Sequence, residues 1–276
     1  MPPLNPILRH PINEMHKDEI SIDIKLVRQL VDKQFPQFAS LPLQRLPASG
    51  STNIQFRLGD ELLVRLPRLA GGSQSLEKEA YWTPIMGKHL PIAVPEFAGN
   101  GKPAFGYSEQ WLIVRWLDGK HPKVCHPADS PHTKRIQLAN DLAAVILALR
   151  HIDVPTDALT EPVLQSYRGQ SLEAYDEFMR HNIEQCRSID GLDLDLDATL
   201  TVWENALELT TDSEARDARW YHGDLVAENL LLTGDRLTGV LDFGGLGVGD
   251  PTIDLHGAWE LLDPPAREAL PQSRRN

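Results

Sequence analysis

The sequence predicts an α+β fold of two lobes, with a small antiparallel sheet in the N-terminal lobe and mainly helices in the C-terminal lobe. Residues 53–67 (NIQFRLGDELLVRLP) alternate apolar and polar side chains on both sides of a Gly-Asp-Glu turn, which predicts a β-hairpin. Residues 133–150 repeat apolar side chains every three or four positions, which predicts a helix with a buried face. The chain has 276 residues, enough for two lobes with a buried core.

The N-terminal lobe is predicted to span residues 15–117. Residues 1–14 are rich in proline and lack a periodic apolar face, so they are interpreted as an irregular arm, and Met15 is a candidate start. Ile24, Val27, Leu30 and Val31 recur at helical spacing and predict a short helix that ends before Pro36.

Two further elements are expected in this lobe. Residues 75–90 have the Glu and Lys content of a helix, which Pro84 is expected to end or kink early. Residues 111–117 (WLIVRWL) follow a segment rich in Gly and Pro and predict another strand.

The C-terminal lobe is predicted to span residues 118–276. After the helix at 133–150, two more helical segments are expected at 171–186 and 198–210. The acidic segment between them, DGLDLDLD at 190–197, is interpreted as a solvated loop rather than a cation site.

Composition excludes several classes of partner. Against 27 basic side chains there are 39 acidic ones, a formal net charge of −12, which disfavours nucleic acid and favours a cationic or neutral small molecule. No apolar run approaches the roughly 20 residues of a membrane span. Cys125 and Cys186 do not form a disulfide framework, and no signal-peptide core is visible, so a cytoplasmic location is expected. The oligomeric state is not predicted.

One segment, residues 220–255, contains an ordered set of polar residues. His-Gly-Asp ends at Asp224, Asn229 follows five positions later, and Asp242 begins Asp-Phe-Gly. The intervening residues predict a hairpin with its turn at Gly234–Asp235, which would bring Asp242 back beside Asn229. An aspartate to accept a hydroxyl proton, and two oxygen ligands for a magnesium ion, are what a kinase catalytic loop requires.

The motifs Trp-Tyr-His-Gly-Asp-Leu, Asn-Leu-Leu, Leu-Asp-Phe-Gly and Gly-Asp-Pro-x-x-Asp-Leu together resemble those of the aminoglycoside phosphotransferase family, over about residues 15–265. The resemblance implies a protein-kinase-like two-lobed fold, ATP (or GTP) and Mg²⁺, and transfer of the γ-phosphate to a small-molecule hydroxyl. Gly223 stands where protein kinases carry Arg, which argues against a protein kinase. The implied roles are proton acceptor for Asp224 and metal ligands for Asn229 and Asp242.

The resemblance also implies a nucleotide site in the N-terminal lobe. Arg65 stands where protein kinases carry a phosphate-pairing Lys, and Glu79 is expected to orient it, with Glu77 as a fallback. Adenine is expected to contact apolar side chains and the backbone carbonyl and amide of the hinge strand, while a turn at 48–53 faces the phosphates. Ser51 and Thr52 belong to this turn. The apolar side chains are those of Leu63 and Leu231, and the hinge groups are the Arg115 carbonyl and the Leu117 amide.

Two residues are expected to support the loop structurally. The resemblance implies that Asp254 starts a helix and braces the backbone of the catalytic loop, and His222 is expected to hold that loop in shape.

Alternatives remain open. Each motif alone is typical of a turn, a cap or a hairpin end, and only the ordered set favours an enzyme. Relatives continue further beyond the segment resembling LLDPPAR, so a weakened or inactive nucleotide-binding module is the rival hypothesis. The acceptor could be an aminoglycoside, as in antibiotic resistance, an amino alcohol, a sugar or another metabolite, because acceptor pockets lie in variable segments.

Overall fold

The computed structural model describes residues 18–47, 52–125, 132–165, 167–211 and 218–270. The described residues separate into two compact units. The first lies within Met1–Ile85 and Val94–Asp118, and the second within Met86–Ala93 and Gly119–Asn276. The predicted arm at 1–14 lies outside the described residues.

The N-terminal unit contains a five-stranded antiparallel sheet. Its strands are β1 (Leu43–Arg45), β2 (Asn53–Leu58), β3 (Leu62–Pro67), β4 (Phe97–Gly101) and β5 (Trp111–Arg115). They lie in the order β1-β2-β3-β5-β4 across the sheet. The predicted hairpin is confirmed: Leu58 pairs with Leu62 beside the turn and Asn53 with Pro67 at the open end. The predicted strand at 111–117 is shorter than expected and ends at Arg115.

Helix α1 (Ile24–Gln34) covers one face of this sheet. Its N-terminus is capped by Asp23, whose carboxylate accepts the Leu26 N–H at 2.8 Å. Val27, Leu30 and Val31 are fully buried, as the periodicity predicts. Ile24, the first residue of the helix, is 46% exposed.

Helix α2 (Ser73–Gly87) continues through Pro84, so the prediction that this proline ends the helix early is wrong. Proline interrupts a helix by removing an N–H and crowding the preceding turn. Here it stands only three residues before the C-terminus. Glu79, the predicted partner of Arg65, lies in the middle of this helix.

The C-terminal unit is mainly helical. The predicted helix at 133–150 is confirmed as α3, whereas the helix predicted at 171–186 begins only at Asp176, after a 3₁₀ turn at Leu172–Tyr175. Its helices are α3 (His132–His151), α4 (Asp176–Arg187), α5 (Leu196–Thr211), α6 (Ala258–Leu261) and α7 (Pro264–Arg267).

Two small antiparallel ladders accompany these helices. One pairs β6 (Arg219–Tyr221) with β9 (Gly247–Gly249). The other is the predicted hairpin, β7 (Leu230–Thr233) and β8 (Arg236–Val240), with its turn at Gly234–Asp235. The residues that connect the two ladders, 222–229 and 241–246, contain His-Gly-Asp, Asn229 and Asp-Phe-Gly.

The acidic segment before α5 is exposed to solvent. Its third aspartate, Asp195, caps α5 by accepting the Ala198 N–H at 2.9 Å. Among the described residues, no helix combines the length and the apolar character needed to cross a lipid bilayer.

Candidate active site

The turn between β6 and β7 brings Asp224 and Asn229 together. A 3₁₀ turn at Ala227–Asn229 folds the chain back, so the Asn229 amide nitrogen Nδ2 lies 2.9 Å from the Asp224 carbonyl oxygen and 3.0 Å from its carboxylate Oδ2. The spacing of five residues has a direct geometric reason: it is the length of this turn. Asn229 is buried, whereas the Asp224 side chain keeps 31% of its surface exposed.

The β7–β8 hairpin returns the chain to Asn229, as the sequence predicts. The Leu241 N–H donates to the Asn229 carbonyl oxygen at 2.8 Å, so the following residue, Asp242, begins beside it. Asp242 has φ 55° and ψ 74°, a left-handed conformation uncommon for a residue with a side chain. Its Oδ1 accepts the Gly244 N–H at 3.2 Å, and this bond holds the strained residue in place.

Asp254 braces the backbone that precedes Asp224, as expected. Its two oxygens accept the N–H groups of His222 and Gly223 at 2.9 and 2.7 Å. Burial raises the pKa of Asp254, although His222 and these two N–H donors oppose that rise. The prediction that Asp254 starts a helix is wrong: it lies inside a 3₁₀ turn, and Asp250 is the residue that caps this turn.

His222 supports the same loop through both ring nitrogens. Its Nε2 lies 3.0 Å from the Leu241 carbonyl oxygen, and the Asp224 N–H donates to Nδ1 at 3.2 Å. A ring that donates from Nε2 and accepts at Nδ1 is neutral, and burial lowers the pKa of His222 accordingly. The ring also packs edge-on against Phe243, with 4.7 Å between centroids.

Gly223 is required by the loop geometry. Its φ is +82°, and a Cβ at this position would lie 2.6 Å from the Gly245 carbonyl oxygen. Both constraints exclude a larger residue without movement of the backbone. The absence of the protein-kinase Arg at this position therefore has a steric reason.

Two residues at this site were not identified from the sequence. Arg168 Nη1 donates to Asp224 Oδ1 at 2.7 Å, and Glu260 accepts the Ala227 N–H at 3.3 Å. Arg168 precedes Asp224 by 56 residues in a segment without periodicity, so no sequence signal pointed to it. Glu260 lies in α6, downstream of the motifs.

In the N-terminal unit, the structure pairs Arg65 with Glu79. Arg65 Nη1 lies 2.6 Å from Glu79 Oε1, and both side chains are buried. A buried carboxylate holds a guanidinium in one orientation more firmly than an exposed one does. The fallback partner Glu77 is wrong, because its carboxylate accepts from Gln110 instead.

The other residues predicted in this unit lie on the same sheet or beside it. Leu63 is two residues from Arg65 on β3 and packs with Leu76 and Val114. Arg115 ends β5, and the Leu117 N–H donates no hydrogen bond to the described residues. Thr52 is exposed, and its carbonyl oxygen accepts the Arg68 N–H at 2.9 Å. Ser51 lies outside the described residues.

In the C-terminal unit, Leu231 lies on β7 opposite Gly239 and is 4% exposed.

The oxygens of Asn229 and Asp242 fit a magnesium ion. The Asn229 side chain donates two hydrogen bonds through Nδ2 to Asp224, so its carbonyl Oδ1 remains as an acceptor among the described residues. An amide oxygen next to a carboxylate is a donor set that this hard cation prefers when phosphate oxygens complete its coordination.

Solved structures similar to this one are kinase-like phosphotransferases. The GDP and kanamycin complex of APH(2″)-IIIa aligns with a TM-score of 0.70 and 20% identity, covering 88% of this chain and 81% of that chain. The streptomycin–ATP complex of APH(2″)-IIa gives a TM-score of 0.61 and 18% identity over 91% and 81% of the two chains. The apoenzyme of macrolide 2′-phosphotransferase MphH from Brachybacterium faecium gives 0.61 and 19% over 90% and 80%. The predicted protein-kinase-like fold is confirmed.

The family follows from the sequence comparison. The model of the phosphotransferase enzyme family, APH, matches residues 44–275. The chain therefore belongs to the phosphotransferase enzyme family, and the predictions of this family and of a phosphotransferase enzyme are confirmed. A comparison with curated protein sequences returned no match.

Proposed function

We propose that this phosphotransferase moves the γ-phosphoryl group of ATP or GTP to a hydroxyl of a small molecule, with Asp224 as the catalytic residue. The observation that supports this most is the contact between Asp224 and Asn229, at 2.9 and 3.0 Å, with Asp242 held beside them by the Leu241–Asn229 bond. These contacts support a site in which a partly exposed carboxylate lies beside two oxygen donors suited to a metal. Phosphoryl transfer requires little more than such positioning and neutralisation of charge.

In this mechanism, Asp224 orients the acceptor hydroxyl and takes its proton as the oxygen attacks phosphorus in line with the leaving diphosphate. Asn229 and Asp242 would hold Mg²⁺, which supplies positive charge to the nucleotide phosphates when it is bound. The Asn229 amide also fixes the Asp224 carboxylate, so one side chain serves both tasks.

The N-terminal unit, predicted as residues 15–117, is proposed to bind the nucleotide. Arg65, oriented by Glu79 at 2.6 Å, pairs with the phosphates, and Ser51 and Thr52 contribute donors to them. Adenine or guanine contacts the apolar side chains and the hinge backbone, and the Leu117 N–H, which donates to no described residue, supports this role. The residues proposed to contact the base are Leu63, Arg115 and Leu117, with Leu231 from the C-terminal unit.

The acceptor is proposed to be cationic and aminoglycoside-like, which would make the enzyme an antibiotic-resistance determinant. Two features support this: the net charge of −12, and the aminoglycosides kanamycin and streptomycin in complexes of structurally similar enzymes. Macrolides, amino alcohols and sugars are the competing acceptors, since one similar structure is that of a macrolide enzyme. Cys125 and Cys186 are free thiols, which supports the proposed cytoplasmic location.

The test is magnesium-dependent turnover of ATP and GTP with kanamycin, gentamicin, a macrolide, choline and a sugar as acceptors. Replacing Asp224 with Ala is expected to lower kcat by about 10²–10⁴-fold, because the general base is removed. Asp60→Ala removes the same charge from an exposed hairpin turn, and its kcat is expected to equal that of the wild type. Wild-type kcat in Asp224→Ala would refute the role of Asp224.

Binding of the nucleotide is tested separately by thermal denaturation. A nucleotide present with Mg²⁺ at 100 times its dissociation constant adds about 2.7 kcal/mol to the free energy of unfolding. Asp224→Ala is expected to keep this stabilisation, and Asp242→Ala to lose its magnesium-dependent part. A shift without turnover would favour the inactive nucleotide-binding module, and absence of any shift with either nucleotide would contradict the proposed function.

A further inference from the structure

Arg168 contacts the proposed catalytic loop at two consecutive residues. Its Nη1 lies 2.7 Å from Asp224 Oδ1, and the same nitrogen donates to the Gly223 carbonyl oxygen. The two side chains are similarly accessible, at 29% for Arg168 and 31% for Asp224. A charge-assisted bond in a partly desolvated place is geometrically more restrictive than an exposed surface pair.

The turn that carries Arg168 is itself fixed against the loop. The Gly169 carbonyl oxygen accepts the Asp250 N–H at 3.1 Å, and the Val248 N–H donates to Leu164 at 2.9 Å. A Cβ on Gly169 would lie 2.4 Å from the Tyr221 ring, so the turn packs directly on the strand that leads to Asp224. Arg168 therefore extends from a backbone that has a defined position relative to Asp224.

The two bonds on the Asp224 carboxylate define its plane. Oδ1 accepts from Arg168 and Oδ2 from Asn229 at 3.0 Å. A carboxylate has about four lone-pair sites, so roughly two remain for an acceptor hydroxyl. With only one of the bonds, the group could rotate about its Cβ–Cγ bond and turn the remaining sites away from the hydroxyl.

We infer that Arg168 is a positioning residue for Asp224: it holds the carboxylate in the orientation that accepts the proton. This inference rests on the proposed function, because it assigns Arg168 to the same reaction. Positioning groups of this kind raise the fraction of productive encounters and leave nucleotide binding unchanged.

The experiment measures magnesium-dependent hydrolysis of ATP and GTP, with water as the acceptor, and transfer to kanamycin. Arg168→Ala is expected to lower kcat about 10–100-fold, as loss of a supporting contact does, while the KM for the nucleotide changes less than about twofold. Added guanidinium ion is expected to restore part of the kcat of Arg168→Ala and none of that of Asp224→Ala. In the Asp224→Ala background, Arg168→Ala is expected to have no further effect, since there is no carboxylate to orient.

Arg187→Ala is the matched control. It removes an arginine that also donates a hydrogen bond to an aspartate, here Asp197 at 2.7 Å, between α4 and α5 and away from the loop. Its kcat is expected to match the wild type. If Arg168→Ala does not fold, Arg168→Lys and Arg168→Gln are compared instead. The lysine variant is expected to have a higher kcat than the glutamine variant, while their KM values for the nucleotide are equal.

The outcomes separate the two proposals. An active wild type whose Arg168 variants keep or exceed its kcat overturns the positioning role alone, and higher kcat would identify the contact as inhibitory. An Arg168→Ala defect that persists in the Asp224→Ala background also overturns it. A wild type without magnesium-dependent turnover of either nucleotide overturns the proposed function, and this inference with it.

Discussion

At the scale of single residues, backbone conformation explains which side chains the site contains. Gly223 combines a positive φ with a carbonyl oxygen 2.6 Å from where its Cβ would be. Asp242 adopts a left-handed conformation despite its side chain, held by its bond to Gly244. The geometry at Gly223 therefore excludes a side chain. Asp242 is strained, but the proposed chemistry needs its carboxylate oxygens.

Replacing Gly223 with Ala is therefore expected to lower both stability and kcat. The left-handed conformation alone costs about 1–2 kcal/mol for a residue with a Cβ, and the clash with Gly245 adds to it. Gly234→Ala is the control, because Gly234 has φ +64° but its Cβ would meet no atom within 4 Å. Denaturant unfolding and turnover measure the two effects. Equal losses of stability in the two variants would contradict the steric argument.

At the scale of elements, Asp141 joins α3 to the β7–β8 hairpin. Its carboxylate accepts two bonds from Arg236 at 2.9 Å, one from the buried Leu237 N–H at 3.0 Å and one from Gln137. Burial alone would raise the pKa of Asp141, but these hydrogen bonds outweigh it and hold the pKa below its ordinary value of 3.8. These bonds hold the β7–β8 hairpin, which directly precedes Asp242, against α3.

Asp141→Ala is expected to destabilise the protein by about 1–3 kcal/mol at neutral pH, because the Leu237 N–H loses its partner. A carboxyl group with a lowered folded-state pKa stabilises the fold above its unfolded pKa, and this contribution is lost as pH falls through the folded-state pKa. The difference in unfolding free energy between wild type and variant should therefore shrink below about pH 3.8.

Gln137→Ala is the control for this prediction, because it removes one uncharged bond to the same carboxylate. Its effect on stability is expected to be smaller and nearly independent of pH. Urea unfolding at several pH values measures both variants. If the difference in unfolding free energy between the wild type and Asp141→Ala grew as the pH fell, the lowered pKa of Asp141 would be contradicted.

Local patterns predicted most of the elements, whereas the end of α2 and the start of α4 differ from the prediction. The hairpin at 53–67 and helix α3 follow from spacing within one segment, which a sequence displays directly. Proline disfavours a helix interior, but this local preference of Pro84 did not decide the end of α2, which continues to Gly87.

The candidate site divides in the same way. Asp224, Asn229 and Asp242 lie in one short segment, so their proximity was predictable from their spacing. Arg168 and Glu260 reach the same loop from 56 residues before Asp224 and 33 residues after Ala227. Contacts between residues so far apart along the chain leave no periodic trace in a single sequence.

At the scale of the whole molecule, the net charge of −12 should influence encounter with the acceptor. A protein of one dominant sign attracts small ions of the other sign and raises their association rate, an effect that salt screens over about 10 Å at 0.1 M. A neutral acceptor experiences no such attraction.

Raising the ionic strength from about 0.01 to 1 M is therefore expected to lower kcat/KM for a cationic acceptor such as kanamycin by about tenfold. The value for a neutral sugar hydroxyl, measured in parallel, should stay constant and controls for any effect of salt on nucleotide binding. Identical salt profiles for both acceptors would contradict electrostatic attraction.

The brace that Asp254 supplies to His222 and Gly223 has a consequence for biosynthesis. Translation proceeds from the N-terminus, so the ribosome makes the loop some thirty residues before it makes the carboxylate that shapes it. A nascent chain that has emerged only as far as Asp-Phe-Gly, residues 242–244, carries all three motif residues but has no acceptor for the two loop amides. The proposed ability of this loop to bind a metal-loaded nucleotide is consequently expected to be acquired late, after residue 254 has left the exit tunnel.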